Sequence, residues 1–124
     1  MVLGSGLLAK AFTNFNNDNS VIVFASGVSN SLQSEEGEYQ REFTLLKTFS
    51  FSSSLFIYFS TCSVFDHTLE KSPYILHKLK TEKFIRENFT SFIIFICKGV
   101  FKFFYENFVQ CSDICQCIIH CENP

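Results

Sequence analysis

The sequence predicts an α/β fold, a parallel β-sheet with flanking helices, on three observations. Short, continuous apolar runs recur at residues 21–25, 55–59 and 92–96, and such runs mark strands buried on both faces, as a parallel sheet requires. Stretches with apolar residues at helical spacing fall between them. The chain has 124 residues, room for one domain.

Each element follows from local chemistry. Met1-Val2-Leu3 begins a strand, Gly4-Ser5-Gly6 makes a turn, and Leu7-Leu8-Ala9-Lys10-Ala11-Phe12 reads as a helix. Leu7, Leu8, Ala11, Phe12 and Phe15 share one side of it. A polar turn over residues 14–20 leads to Val21-Ile22-Val23-Phe24-Ala25, a β-branched strand that Ser26 and Gly27 end. Residues 34–48 predict a second helix: Glu35, Glu36 and Glu38 complement the dipole at its start, and Tyr39, Phe43 and Leu46 recur at its period. A serine-rich turn at residues 50–54 precedes the strand Leu55-Phe56-Ile57-Tyr58-Phe59. Ser72-Pro73 supplies a cap and a first-turn proline for a third helix reaching about Asn88. Phe92-Ile93-Ile94-Phe95-Ile96 closes the pattern as a strand. Strands alternating with helices imply right-handed crossovers and ligands at the carboxyl ends of the strands. No internal repeat is present.

Composition narrows the function. Hydrophobic residues make up 47% of the chain, with 17 phenylalanines and no tryptophan, so a core is available. The net charge of −2 offers no electrostatic footprint for a nucleic-acid backbone. At the start, Lys10 follows the apolar residues and glycine and serine interrupt them, so no export signal is read and a cytoplasmic protein is expected. The most membrane-like stretch, residues 89–109, contains Lys98, Lys102 and Glu106, which argues against a span. Cys62 stands alone in residues 1–96, whereas Cys97, Cys111, Cys115, Cys117 and Cys121 crowd the last part. That distribution is unlike a disulfide framework. With His120 the last four could offer zinc ligands, but two separated CxxC knuckles are lacking, so no metal is assigned and free thiols are expected.

Two constellations carry chemistry. Gly4-Ser5-Gly6-Leu7-Leu8-Ala9 fits GxGxxA between a strand and a helix, where absent side chains let a backbone approach a pyrophosphate; an ordinary tight turn is the plainer alternative. The acidic residue that grips an adenosine ribose about 20 residues later is not evident, since Asp18 precedes the next strand. The second constellation joins Ser60-Thr61-Cys62-Ser63, at a strand's carboxyl end, to Tyr74-Ile75-Leu76-His77-Lys78 at a helix start. Four residues apart, Tyr74 and Lys78 stack on one helix face, where an ammonium lowers a phenol's pKa and makes it a usable acid or base. A partly buried tyrosine beside a surface lysine is the alternative. His77 reads as a surface residue and Cys62 as a small packing residue.

Taken in order, these features resemble the short-chain dehydrogenase/reductase superfamily, in particular its extended branch of nucleotide-sugar epimerases, dehydratases and reductases, over about residues 1–96. The turn Gly4 to Ala9 is similar to that family's phosphate loop, and Phe24-Ala25-Ser26-Gly27 to the strand end lining its cofactor cleft. Phe59-Ser60-Thr61-Cys62-Ser63 resembles the hydroxyl-bearing strand end, and Ser72-Pro73-Tyr74-Ile75-Leu76-His77-Lys78 the SPYxxxK segment. The resemblance implies a Rossmann-like NAD or NADP site at Gly4, Gly6, Leu7, Leu8, Ala25, Ser26 and Lys78. It implies catalytic roles for Tyr74 in proton exchange, for Thr61 in holding the same substrate oxygen, and for Lys78 in holding the ribose and biasing Tyr74 toward phenolate. The nucleotide-linked sugar would be the substrate, in polysaccharide synthesis.

The family pattern is abbreviated here. Between the first helix and Val21 there is no room for the strand and helices that usually complete the cofactor half. After Ile96 the chain reads Cys97-Lys98-Gly99-Val100 rather than continuing toward a substrate portion. Residues 97–124 are therefore expected to be a cysteine-rich tail, shifted-frame or degenerate; the rival is a short helix over residues 100–109 serving a homodimer. The leading expectation is an incomplete NAD(P)-dependent epimerase or oxidoreductase. The alternative is a non-catalytic dinucleotide-binding or regulatory protein.

Overall fold

A computed structural model describes residues 1–97 and the strand at residues 115–122, with side chains through residue 96. Strands β1 (Val2–Leu3), β2 (Val21–Phe24), β3 (Leu55–Thr61) and β4 (Ser91–Cys97) alternate with helices α1 (Leu7–Ala11), α2 (Glu36–Lys47) and α3 (Pro73–Asn88). The four strands pair in parallel in the order β1-β2-β3-β4. The expected α/β class and parallel sheet are therefore present.

A fifth strand, β5 (Cys115–Glu122), pairs antiparallel with β4. The sheet is thus mixed, where an all-parallel one was expected, and part of the cysteine-rich tail is joined to it by backbone pairing. An antiparallel neighbour needs no helical crossover, so the alternation that reveals parallel strands leaves no mark for it. The expected helix over 100–109 and the cysteine and histidine side chains of the tail lie outside the described residues.

Register sorts the side chains into two faces. Ile22 aligns with Phe56 and Phe92, Phe24 with Tyr58 and Ile94, and Ser60 with Ile96. All of these are buried, and with Leu46, Ile85 and Phe89 the apolar ones form the main core between the sheet and helices α2 and α3. Phe43 of α2 meets Phe84 of α3 edge-on, with ring centroids 5.1 Å apart. Successive strand residues face opposite ways, so Ile57, Phe59, Ile93 and Phe95 line the other face, where they are half-buried. There Phe12, at the end of α1, packs on Phe59 at 5.5 Å, and Phe59 stacks on Phe95.

The first connection therefore crosses one face of the sheet while α2 and α3 lie against the other. Because β1 to β4 step across the sheet in a single direction, connections on opposite faces have opposite hands. One hand throughout was expected from the general preference for right-handed crossovers; the β1–α1–β2 unit differs from its successors. The chain steps from α1 straight to β2, the strand that pairs with β1.

Helix starts follow the sequence. Glu36 and Glu38 occupy the first turn of α2, and Pro73 opens α3 after Ser72, whose side chain makes no capping hydrogen bond. Helix α1 is shorter than expected, giving way to a 3-10 turn at Thr13–Phe15, and Leu7 is half exposed. Among the described residues no helix is long and apolar enough to cross a membrane.

Candidate functional site

A cleft of about 1200 Å³ opens at the carboxyl ends of β1, β2 and β3. Its lining includes Gly4, Gly6, Leu7, Leu8, Ala25, Ser26, Thr61, Tyr74 and Lys78, every site residue named from the sequence. They come from four separate segments: the β1–α1 turn, the end of β2, the end of β3 and the start of α3. Lys10, Arg41 and Lys78 supply cationic groups to the lining, and among the described residues no carboxylate lines it.

The two glycines of the first turn act differently. Gly4 has φ of +129°, and a Cβ there would stand 2.4 Å from the carbonyl oxygen of Ala25. The β1 turn can approach the end of β2 only without a side chain. Gly6 has an ordinary backbone, and a Cβ added to it would meet nothing within 4 Å. Its missing side chain leaves space beside the cleft rather than room for the fold. Ala9, third in the GxGxxA pattern, is buried.

At the end of β2, the Arg41 guanidinium donates to the Ser26 hydroxyl at 3.1 Å and to the Ser26 carbonyl at 3.2 Å. Glu38 pairs with Arg41 from one turn earlier at 3.1 Å. At the end of β3, Thr61 caps a 3-10 turn at Cys62–Phe65, its hydroxyl accepting from the Ser63 amide at 3.3 Å. Cys62 is half-buried against the core, a packing residue as expected.

Beneath the cleft floor lies a buried ionic cluster that the sequence reading missed. Glu42 is fully buried. One carboxylate oxygen, Oε2, accepts from the Val28 amide at 2.6 Å and lies 3.0 Å from His77 Nε2. The other, Oε1, accepts from the Tyr58 hydroxyl at 2.9 Å and stands 3.5 Å from Lys78 Nζ. Lys78 in turn donates to the Tyr58 hydroxyl at 3.0 Å. His77, expected at the surface, is 7% exposed and packs on the Tyr39 ring. It sits three residues after Tyr74, on the same buried stripe as Lys78 and Thr81.

These contacts set the ionisation states. Burial alone would push the Glu42 carboxyl up, but His77, the Lys78 charge and the Val28 amide outweigh it and bring the group down to about 2. Burial pushes the Lys78 amine below its ordinary value, and Glu42 recovers only part of that. The two partners' shifts thus differ in sense: the pocket favours the carboxylate and resists the ammonium. The Val28 amide and the Tyr58 hydroxyl, both donating to it, hold the carboxylate in its ionised form. Burial also drives Tyr74 up to about 12, with the Glu42 and Tyr39 charges adding to the rise. The sequence reading had Lys78 lowering Tyr74. Instead the ammonium is committed to Tyr58 and Glu42, and stands 5.7 Å from the Tyr74 ring centre.

A sequence signal for Glu42 exists: it falls on the stripe of Tyr39, Phe43 and Leu46, where a carboxylate needs partners. Ser60, in the lining, donates to the buried Glu82 at 2.5 Å. No protein-family model, characterised relative or solved structure matches this chain.

Proposed function

We propose that the chain binds a nicotinamide dinucleotide in this cleft and belongs, as an abbreviated form, with the NAD(P)-dependent epimerases and oxidoreductases of nucleotide-linked sugars. The observation that carries the reading is the convergence of every residue matched to the short-chain dehydrogenase/reductase pattern, from four separate segments, on one cleft. The lining fits the ligand: among the described residues it is cationic without carboxylates, and it has a glycine turn at one wall and open space at Gly6. Such a site suits a pyrophosphate.

When bound, the nicotinamide supplies the carbon that exchanges hydride with substrate. The chain's own residues would bind, orient and move the proton. The Tyr74 phenol, protonated through neutral pH, is poised to give a proton to a sugar ketone rather than to take one. Thr61 would donate its hydroxyl hydrogen to the same oxygen while still accepting from Ser63. Lys78 would hold the ribose hydroxyls. The setting is a cytoplasmic protein of polysaccharide synthesis.

The commitment of Lys78 to Tyr58 and Glu42 favours a second reading, a non-catalytic dinucleotide-binding or regulatory protein. Titration of the purified chain with NADH and NADPH tests what the two share, and absence of binding rejects both. Turnover of nucleotide sugars that is lost in Tyr74→Phe selects the enzyme; tight binding without turnover selects the second reading.

A further inference from the structure

We infer that Glu42 is the positioning residue of the cleft, a single carboxylate that holds the turn at residues 26–28 and the Lys78 ammonium in fixed relation. The inference rests on the dinucleotide reading for its consequence, but not for its geometry. Glu42 itself does not line the cleft, whereas Gly27, Val28 and Lys78 do. Its two oxygens divide the work: Oε2 takes the Val28 amide at 2.6 Å, and Oε1 takes the Tyr58 hydroxyl at 2.9 Å and faces Lys78 Nζ at 3.5 Å.

The turn rests directly on this pair. A Cβ at Gly27 would stand 3.2 Å from Glu42 Oε1 and 3.3 Å from Lys78 Nζ, closer than an unstrained contact allows. A side chain at Gly27 would therefore press on the carboxylate and the ammonium together. An apolar side chain of the same volume would fill the space with no desolvation cost. It would also release the Val28 amide and the ammonium from each other. Since the Val28 amide lies on a loop and Lys78 on a helix, no backbone ladder replaces that tie.

Two substitutions approach the junction from opposite sides. Glu42→Gln keeps the shape and removes the charge; Gly27→Ala keeps the charge and presses on it from the cleft. In Glu42→Gln, amide exchange at Val28 is expected to accelerate at least tenfold while Ile94 keeps its protection, and the Lys78 amine resonance is expected to shift. The NADH dissociation constant is expected to rise at least tenfold in each variant, with the double variant weaker by less than the product of the two. A folded Glu42→Gln protein whose Val28 exchange rate and NADH affinity stay within twofold of the parent's, and whose Lys78 resonance is unmoved, overturns the inference. Should Glu42→Gln fail to fold, Gly27→Ala decides: unchanged affinity and an unmoved Lys78 resonance overturn it. Should the parent bind neither NADH nor NADPH, the dinucleotide reading falls by itself, and Val28 exchange with the Lys78 resonance still decides the positioning role.

Discussion

The ammonium of Lys78 donates to the hydroxyl of Tyr58 at 3.0 Å, and both residues are buried. This contact ties helix α3 to the central strand β3 through polar atoms within an otherwise aromatic and aliphatic core. Removing either partner leaves the other, and Glu42 behind it, short of hydrogen bonds. Tyr58→Phe should cost about 1–3 kcal/mol and Lys78→Met about 3–5 kcal/mol, the usual range for orphaned buried polar and charged groups. Urea denaturation at neutral pH measures both.

Acid should weaken the fold through Glu42. Its carboxyl sits at about 2 in the folded chain against an ordinary 4.5, so the folded state binds its proton less readily than the unfolded state does. The stabilisation is complete above pH 4.5 and is lost as pH falls from there toward 2, amounting to roughly 3 kcal/mol. Comparing the parent with Glu42→Gln in urea between pH 6 and pH 3 checks the sign: the parent should lose stability more steeply.

The glycine turn separates fold from ligand. Gly4→Ala forces a side chain into φ of +129° and onto the Ala25 carbonyl, and should cost about 2 kcal/mol or more. Gly6→Val meets no protein atom near its Cβ, so its thermal midpoint should stay close to the parent's while NADH affinity falls at least tenfold. Thermal unfolding and fluorescence titration on the two variants give the contrast.

Helix α3 hides polar residues and shows leucines. Its buried stripe is Tyr74, Ile75, His77, Lys78, Thr81, Glu82 and Ile85, while Leu76 and Leu79 are 54% and 42% exposed. Leu76→Glu and Leu79→Glu should each shift stability by less than about 1 kcal/mol, whereas Ile85→Ala should cost about 2–5 kcal/mol. Urea midpoints of the three variants test the assignment of faces.

That inversion explains where the sequence was readable. Residues 21–25, 55–59 and 92–96 announce strands because each face of those strands meets apolar material. The polar side of α3 carries no such announcement: helical geometry points His77 away from the Tyr74 and Lys78 pair, and nothing in the spacing shows that this direction meets Tyr39 of α2. Glu42 carries no signal of its own in the spacing either, although Tyr39, Phe43 and Leu46 around it mark the helix. The glycines, threonine, tyrosine and lysine picked out by order and spacing line one cleft because the topology gathers the strand ends and the start of α3 there. The opposite hand of the first crossover and the antiparallel β5 depend on strand order, which local patterns do not encode.

The strand carrying the glycine turn has only two residues, Val2 and Leu3, and among the described residues pairs on a single side, whereas β3 and β4 have seven each. The glycine-turn wall of the cleft therefore has less backbone pairing behind it than the wall at the end of β3. Opening of residues 1–12 breaks few ladder bonds and leaves the β2–β4 core intact, so this wall should exchange its amides through local fluctuation and the other wall only through global unfolding. A ligand bridging them would be bound partly at the expense of ordering the thin wall, and its affinity would report the stability of that small unit as much as the chemistry of the contacts.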